Sequence, residues 1–301
     1  MSARLQKWRK EFKGSILLND DPSQRGKFDQ KFSISLGNYS LEIESTSETG
    51  ISGYYEFSFY SNDLSVNQAE AEANRIEKEI FEVFFNLTDL ENIQFEIKWG
   101  ELKAIDFQEG TKFTVSKSVS IGAIICGPSI PISKSQVTDF ENLFQKLNNN
   151  QRKDFLLNLL HLSNISTKRA SEDFFYKWMT FNAIFRELSI SNTSEVEDLK
   201  NFANTCPDIS VINKIIKRHD STINKLSQES FTNRRGTENY SSELREAITR
   251  SNDRGIWTYT ILCIYIIRNE LFHEGREFTD LKAVNRILKD IVRLGILHLL
   301  R

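Results

Sequence analysis

The sequence predicts a two-domain α+β protein, in which a β-rich domain with one main helix (residues 1–134) precedes an all-helical bundle (residues 135–301). Short β-rich runs dominate the first part of the chain, and apolar residues at helical spacing dominate the second. Between the two parts, Gly127, Pro128 and Pro131 interrupt the β pattern. A chain of 301 residues is long enough for two domains with separate cores.

Strands are predicted in the first domain wherever apolar or β-branched residues form short alternating or continuous runs. These runs are residues 12–18, 31–36, 39–44, 54–60, 93–99, 102–107 and 112–126. Between them, apolar residues at positions 69, 73, 76, 80 and 84 recur every three or four residues, which predicts a helix over residues 66–87.

The second domain is predicted to be helical to its end, with short connections typical of a bundle. The predicted helices are residues 138–147, 152–162, 171–188, 210–226, 241–250, 256–273 and 280–300. The polar stretch 227–242 is predicted to be a loop.

Composition restricts the function classes. The net charge of -2 provides no global basic field, so nucleic-acid binding requires a local patch. Three cysteines without a CxxC pair favour reduced thiols and a cytoplasmic protein. The longest apolar run, Ile261–Ile267, is too short for a membrane span, and we expect no membrane partner. A phosphate-binding loop, a dinucleotide fingerprint and an HExxH motif are missing, and we expect no cofactor and no metal.

The most informative segment is Arg268-Asn269-Glu270-Leu271-Phe272-His273, at the end of a helix whose apolar residues surround its axis. Gly275 follows and can end the helix by accepting a positive φ. An unpaired charge buried in such a helix costs several kcal/mol. Arg268, Asn269 and His273 must therefore be paired within the protein or face a shared crevice, such as the seam of a dimer.

Arg268, Asn269 and His273 have the spacing of the Arg-x(4–6)-His motif with a polar residue after the arginine, and the chain here resembles the HEPN superfamily, specifically its Apea-like branch. The aromatic stretch Asp173–Phe185 resembles the first core helix of that bundle. The resemblance covers roughly residues 136–301 and implies nothing about residues 1–135.

The resemblance implies a metal-independent endoribonuclease that acts as a homodimer, with two arginines and two histidines in one cleft. His273 would transfer protons, since the unperturbed pKa of histidine lies near neutrality. Arg268 would bind the phosphate, and Asn269 would orient the imidazole ring or hold a phosphate oxygen. The implied products carry a 2′,3′-cyclic phosphate and a 5′-hydroxyl. Antiphage defence or a toxin–antitoxin system is implied as the setting, with the N-terminal domain as a sensor or as the site for a regulatory or antitoxin partner.

Other interpretations stay open at this stage. Arg268 could pair with Glu270, Glu274 or another buried acid, and His273 could be a core histidine. In that case the bundle would be a non-catalytic dimerisation or scaffold module that binds a partner protein or nucleic acid. A second match to the spacing, Arg293 and His298, lacks the following asparagine.

Two further patterns bear on nucleic-acid chemistry. Glu96-Ile97-Lys98, with Asp89 upstream, weakly resembles the acid-x-Lys half of metal-dependent nucleases, and cleavage in EDTA would separate that mechanism from a His and Arg mechanism. The strongest local basic cluster is the candidate RNA-binding surface, although a solvated helix face is the simpler interpretation. Its residues are Lys214, Lys217, Arg218, Arg234 and Arg235.

Overall fold

The structure is a computed structural model, and it describes most of the chain. The described residues are 4–18, 21–28, 32–36, 39–46, 50–62, 65–82, 93–105, 114–115, 129–132, 134–164, 167, 169–188, 194–233 and 236–300. The chain divides into two compact units, residues 1–153 and residues 154–301. The expected boundary after residue 134 lies before a helix that this division assigns to the first unit.

The first unit is built on a mixed sheet with two helices in the described part. Its strands are β1 (Arg4–Leu18), β2 (Asp21–Phe28), β3 (Phe32–Leu36), β4 (Tyr39–Thr46), β5 (Gly50–Ser61), β6 (Ile93–Ala104), β7 (Thr114–Val115) and β8 (Ser129–Ile132). Its helices are α1 (Val66–Glu82) and α2 (Lys134–Asn149). Strand β1 pairs antiparallel with β2, β5 and β6, whereas β2 and β8 are parallel.

Side chains of β1 alternate between a core face and a solvent face, as the period of two residues requires. Trp8 and Phe12 are fully buried, whereas Lys7, Glu11 and Lys13 are exposed. A second contribution to this core comes from the small and β-branched residues of one face of α1, at the spacing that the sequence predicts. They are Ala69, Ala73, Ile76 and Ile80.

A buried carboxylate also lies in this unit. Glu79 is fully buried, and its Oε2 lies 2.7 Å from Lys153 Nζ and 3.3 Å from Arg75 Nη1. These cations offset the cost of burying a carboxylate in this core. Burial, together with the charge of Glu79, raises the pKa of Tyr39 well above its usual value.

The strands of the first unit differ from the predictions in three places. Strand β1 begins at Arg4, eight residues before the expected start, because its pairing with β5 continues to that residue. The two strands expected over residues 93–107 are the single strand β6, which stays paired with β1 through one irregularity in register. Strands β2 and β8 were not predicted, since their prolines, glycine and charged residues have low strand propensity.

Two predictions for this unit lie partly outside the described residues. The helix over residues 66–87 is described to Glu82. Of the strand over residues 112–126, only Thr114 and Val115 are described.

The second unit is helical throughout its described part, so the chain as a whole has an α+β fold. Its helices are α3 (Lys153–Asn164, which begins at the last residue of the first unit), α4 (Ala170–Leu188), α5 (Glu195–Thr205), α6 (Ile209–Arg218), α7 (Asp220–Gln228), α8 (Tyr240–Thr249), α9 (Asp253–Asn269) and α10 (Leu281–Leu299). A π-helical turn, Glu270–Glu274, continues α9. Helix α5 was not predicted, and the helix expected over residues 210–226 is two helices that meet at His219.

Helices α4 and α10 form the most extensive helix pair of this unit, and α9 packs against α5, α6 and α8. Gly295 lies where α10 meets α4, and a Cβ atom there would stand 2.5 Å from Ile184 Cγ2. The glycine that interrupts the apolar pattern of the sequence therefore allows close contact between two helices. No helix among the described residues combines the length and the apolar character needed to cross a membrane.

Candidate functional site

Helix α9 carries the candidate residues at its C-terminal end. It begins after Asn252, whose side chain accepts a hydrogen bond from the N–H of Gly255 and caps the first turn. The residues on nearly all of its faces are buried, as the sequence predicts. They include Trp257, Ile261, Leu262, Cys263, Ile264, Ile266 and Ile267. These residues anchor the helix up to Ile267, whereas the residues of the π-helical turn that follows are not buried.

The last turn is wider than an α-helical turn. Residues Glu270–Glu274 are π-helical, and the N–H of Gly275 donates to the carbonyl of Glu270, five residues earlier. Gly275 has a φ of 65°, which confirms the predicted stop. A π-helical turn was not predicted, since it changes the angular position of His273 without leaving a mark in the apolar pattern. Such turns often occur at functional sites.

Arg268 is half-buried and lies between aromatic rings and polar groups. Its guanidinium carbon lies 5.8 Å from the ring centroid of Trp178 and 5.7 Å from that of Phe272. Its Nη1 donates to Asn269 Oδ1 at 2.7 Å and lies 3.9 Å from Glu195 Oε2. These contacts fix the plane of the guanidinium group and leave its ion pair with Glu195 long.

Asn269 therefore contacts Arg268 rather than His273. Its side-chain oxygen accepts from the guanidinium group, so its Nδ2 amide remains as the group that can donate to a phosphate oxygen. Of the two roles that the sequence left open for Asn269, this geometry favours the contact with phosphate. Glu270, which the sequence offered as a partner of Arg268, instead lies 3.7 Å from the Nε of Arg276.

His273 is exposed to solvent. It lies in the last turn before Gly275. The side chain of Arg268 is 24 % exposed, so neither side chain is fully enclosed within the bundle. This arrangement leaves both accessible to a ligand.

One groove of about 710 Å³ brings Arg268, Asn269 and His273 together. Its walls are the π-helical turn, the start of α5 and the loop before α8. Five carboxylates face it, from Glu195, Glu197, Glu238, Glu270 and Glu274. The cationic side chains of its described lining are Arg268 and Lys200, and His273 is its one histidine. Within one chain, the groove therefore carries more acidic than basic groups.

Glu270 is the groove carboxylate whose ionisation is perturbed. Burial raises its pKa, and the neighbouring charges of Glu274 and Glu229 act in the same direction, while Arg276 opposes them. Protonation of Glu270 would lower the negative charge beside His273. Among the described residues, the acidic, histidine and cysteine side chains do not form a group of three or more that could hold a metal ion.

Sequence reasoning missed the wall of the groove opposite α9. Glu195 and Lys200 lie on α5, and Glu238 lies in the loop before α8. They are thirty or more residues from the Arg268–His273 segment along the chain, and no local pattern links them to it. A capping signal at Ser194, whose side chain accepts from the N–H of Glu197, was the available sign of a helix there.

The candidate RNA-binding residues differ in their exposure to solvent and in whether an acidic residue pairs with them. Lys214 and Lys217 are exposed on α6. Arg218 instead donates from Nη1 to Asp290 Oδ2 at 3.0 Å and is partly buried. Arg234 and Arg235 lie outside the described residues.

The described residues of the second Arg–His match and of the acid-x-Lys pattern lie outside the groove. Arg293, half of the second Arg–His match, is buried, and its Nε lies 3.9 Å from Asp290 Oδ1. On β6, Lys98 of the acid-x-Lys pattern is exposed. Asp89 and the side chain of Glu96 lie outside what the structure describes.

Comparison of the chain with protein-family models, with curated proteins and with solved structures finds no match in any of the three.

Proposed function

We propose that the chain is a metal-independent endoribonuclease of HEPN type that acts as a homodimer with a composite Arg and His site. The observation that carries the proposal is that Arg268 and His273 both line one open groove while the helix that bears them is otherwise buried. His273 is exposed, and the ion pair of Arg268 with Glu195 is long, so a phosphate can reach both side chains.

The chemistry of RNA cleavage suits these groups. A base must take the proton of the 2′-hydroxyl, an acid must protonate the leaving 5′-oxygen, and positive charge must stabilise the phosphorane oxygens. His273 can perform either proton transfer, and Arg268 can bind two phosphate oxygens through its guanidinium fork. Asn269 can donate a further hydrogen bond through Nδ2.

A second copy of the chain completes the proposal. One imidazole cannot act as base and acid in the same step, and the described lining of the groove contains one histidine. We infer that His273 of one protomer acts as the base while His273 of its partner acts as the acid.

The test is cleavage of a labelled single-stranded RNA by the native chain and by Arg268→Ala and His273→Ala. Both variants should lose cleavage by about 10²–10⁴-fold, the usual contribution of a proton-transfer group, while they remain folded and dimeric. Activity should persist in EDTA and produce cyclic phosphate ends, and DNA should resist. Unchanged cleavage in both variants would overturn the proposal.

The acidic lining of the groove favours a second candidate function. A scaffold that binds a basic segment of a partner protein would use the five carboxylates directly, through electrostatic complementarity. That function needs no proton transfer, so His273→Ala would leave it intact. Replacement of Glu195 and Glu197 together by Gln would weaken binding of the partner in this case and would strengthen RNA binding under the ribonuclease proposal.

For the N-terminal unit we propose a regulatory role, as a sensor or as the site of an antitoxin or other partner. Its support is architectural, because the chain joins a separate sheet unit to the unit that carries the groove. RNA cleavage by residues 154–301 should be faster than cleavage by the whole chain if the sheet unit restrains the site. Equal rates would rule out autoinhibition.

A further inference from the structure

A second cavity lies on the other side of the π-helical turn. It has a volume of about 300 Å³ and lies between the first turns of α4 and residues Leu271 and Phe272. Its lining residues are Ser171, Glu172, Phe175, Tyr176, Leu271 and Phe272. This volume is at the lower end of the range of about 300–1,000 Å³ for small-molecule pockets, so one planar group is a suitable occupant.

Two phenylalanine rings form the exposed walls of this cavity. Phe175 is 44 % exposed and Phe272 is 38 % exposed, which is unusual for side chains of this size. Their ring centroids lie 5.6 Å apart and the planes meet at 69°. Phe272 also contacts the buried Phe174 edge to face, with the ring centroids 6.3 Å apart, so a buried neighbour holds the orientation of its ring. The cavity is therefore a preformed aromatic corner open to solvent.

Phe272 connects this cavity to the proposed catalytic groove. It directly precedes His273, and its ring centroid lies 5.7 Å from the guanidinium carbon of Arg268. A phosphate held by Arg268 would therefore have the aromatic corner beside it. The next group along a nucleic-acid chain, the base, is of the size that the cavity can hold.

We propose that this cavity binds one unpaired nucleobase of the RNA, adjacent to the phosphate that is cleaved. The inference rests on the proposed ribonuclease function and adds a base-binding subsite to it. Base–aromatic stacking contributes about 1–3 kcal/mol per base in single-strand binding proteins and tolerates any sequence. A base inside a duplex is stacked and paired on both sides and cannot enter the corner.

The polar groups of the cavity favour a base over a phosphate or an apolar side chain. The carboxylate of Glu172 would repel a phosphate, whereas it can accept hydrogen bonds from the N–H groups of a base. Ser171 adds a hydroxyl that can donate or accept. Glu172 Oε1 lies 3.7 Å from Arg169 Nη1, and both side chains are exposed.

The experiment measures binding of a 2′-O-methyl single-stranded oligonucleotide, which cannot be cleaved, and of the corresponding duplex. Phe175→Ala should raise the Kd for the single strand at least about 5-fold, which corresponds to the lower end of the stacking energy. Phe175→Leu, which keeps apolar bulk without the ring, should weaken binding in the same direction. Met179→Ala is the matched control, because Met179 is 45 % exposed one turn further along α4 and does not line the cavity.

Three outcomes overturn the base pocket: native affinity in Phe175→Ala, equal affinity of the native chain for single strand and duplex, and conversion of a dimer to a monomer in Phe175→Ala with unchanged affinity per chain. The last outcome would assign the aromatic corner to contact between copies. The two proposals fail separately. If His273→Ala cleaves RNA at the native rate while Phe175→Ala binds the single strand weakly, the base pocket is supported and the proposed catalytic site is not. If His273→Ala loses cleavage while Phe175→Ala binds with native affinity, the catalytic site is supported and the base pocket is not.

Discussion

The helical unit contains two clusters in which an arginine and a histidine lie near a carboxylate, and their surroundings differ. Where α6 and α7 meet α10, Asp290 Oδ2 lies 2.8 Å from His219 Nε2 and accepts from Arg218 Nη1 at 3.0 Å. In the groove, the Nη1 of Arg268 lies 3.9 Å from Glu195 Oε2, and His273 is exposed. The same residue types are held within the protein in the first cluster and are available to a ligand in the second.

The difference is one of burial and of pairing distance. Burial alone would raise the pKa of Asp290, but the hydrogen bond from His219 and the charges of Arg293 and Arg218 outweigh it, so the pKa of Asp290 is lowered. This carboxylate stabilises the folded state because its partners are preorganised around it. Arg268 and Glu195 are 3.9 Å apart and only slightly more exposed than Arg218 and Asp290, so the greater distance is what weakens their ion pair and lets Arg268 exchange its partner for a phosphate.

The comparison is most directly tested by replacing the two histidines in turn, which should give opposite results. His273→Ala should lose RNA cleavage by about 10²–10⁴-fold with less than about 0.5 kcal/mol change in the free energy of unfolding, because the side chain is exposed. His219→Ala should lose about 1.5–3 kcal/mol of stability, since it removes a hydrogen bond to a buried carboxylate. Urea denaturation and cleavage rates per folded molecule measure both. A large loss of stability in His273→Ala would contradict the comparison.

Asp290 itself provides the next test. Asp290→Asn should cost about 3 kcal/mol at pH 7, because it leaves the buried Arg293 and the partly buried Arg218 beside a neutral group. The matched control is Asp280→Asn, which breaks a 2.6 Å ion pair with the exposed Lys225 and should cost less than about 1 kcal/mol. Equal costs would show that burial does not distinguish the two pairs.

The pH dependence of stability follows from the lowered pKa of Asp290. A carboxyl group with a lowered folded pKa contributes stability that is fully present above its unfolded pKa of about 3.9 and is lost as the pH falls through the folded value. The native chain should therefore lose stability below about pH 4 more steeply than Asp290→Asn. Melting temperatures of both proteins, measured from pH 2 to pH 6, would show this difference in slope. Parallel curves for the two proteins would exclude a contribution from this group.

The sequence was sufficient to predict the α+β fold class and to identify the residues at the end of α9, for a physical reason. The apolar residues on nearly every face of α9 indicated a buried helix, so Arg268, Asn269 and His273 required a special explanation. Gly275 marked the end of that helix, and its φ of 65° agrees. Each of these signals is local and requires no knowledge of distant residues.

The remainder depended on contacts between distant segments. Glu195 and Lys200 reach the groove through helix α5, which has no long apolar run and was not predicted. Arg218 looked like part of a basic surface, but Asp290, seventy-two positions away, binds it. Strand β2 contains a proline and a glycine and forms because β1 and β8 pair with it. Tertiary pairing of this kind overrides local propensity and cannot be read from spacing.

The smallest expected effect concerns Glu270, one of the carboxylates that line the groove. Burial raises the pKa of Glu270, so ionised Glu270 is less favoured in the folded chain than in the unfolded chain, and stability is lost as the pH rises through its titration. Glu270→Gln should therefore gain up to about 1 kcal/mol at pH 7 and bind single-stranded RNA a few-fold more tightly, since one negative charge leaves the groove. Glu277→Gln is the control, because Glu277 is exposed on the same segment and does not line the groove. Weaker RNA binding by Glu270→Gln than by this control would show that the carboxylate contacts the RNA rather than repelling it.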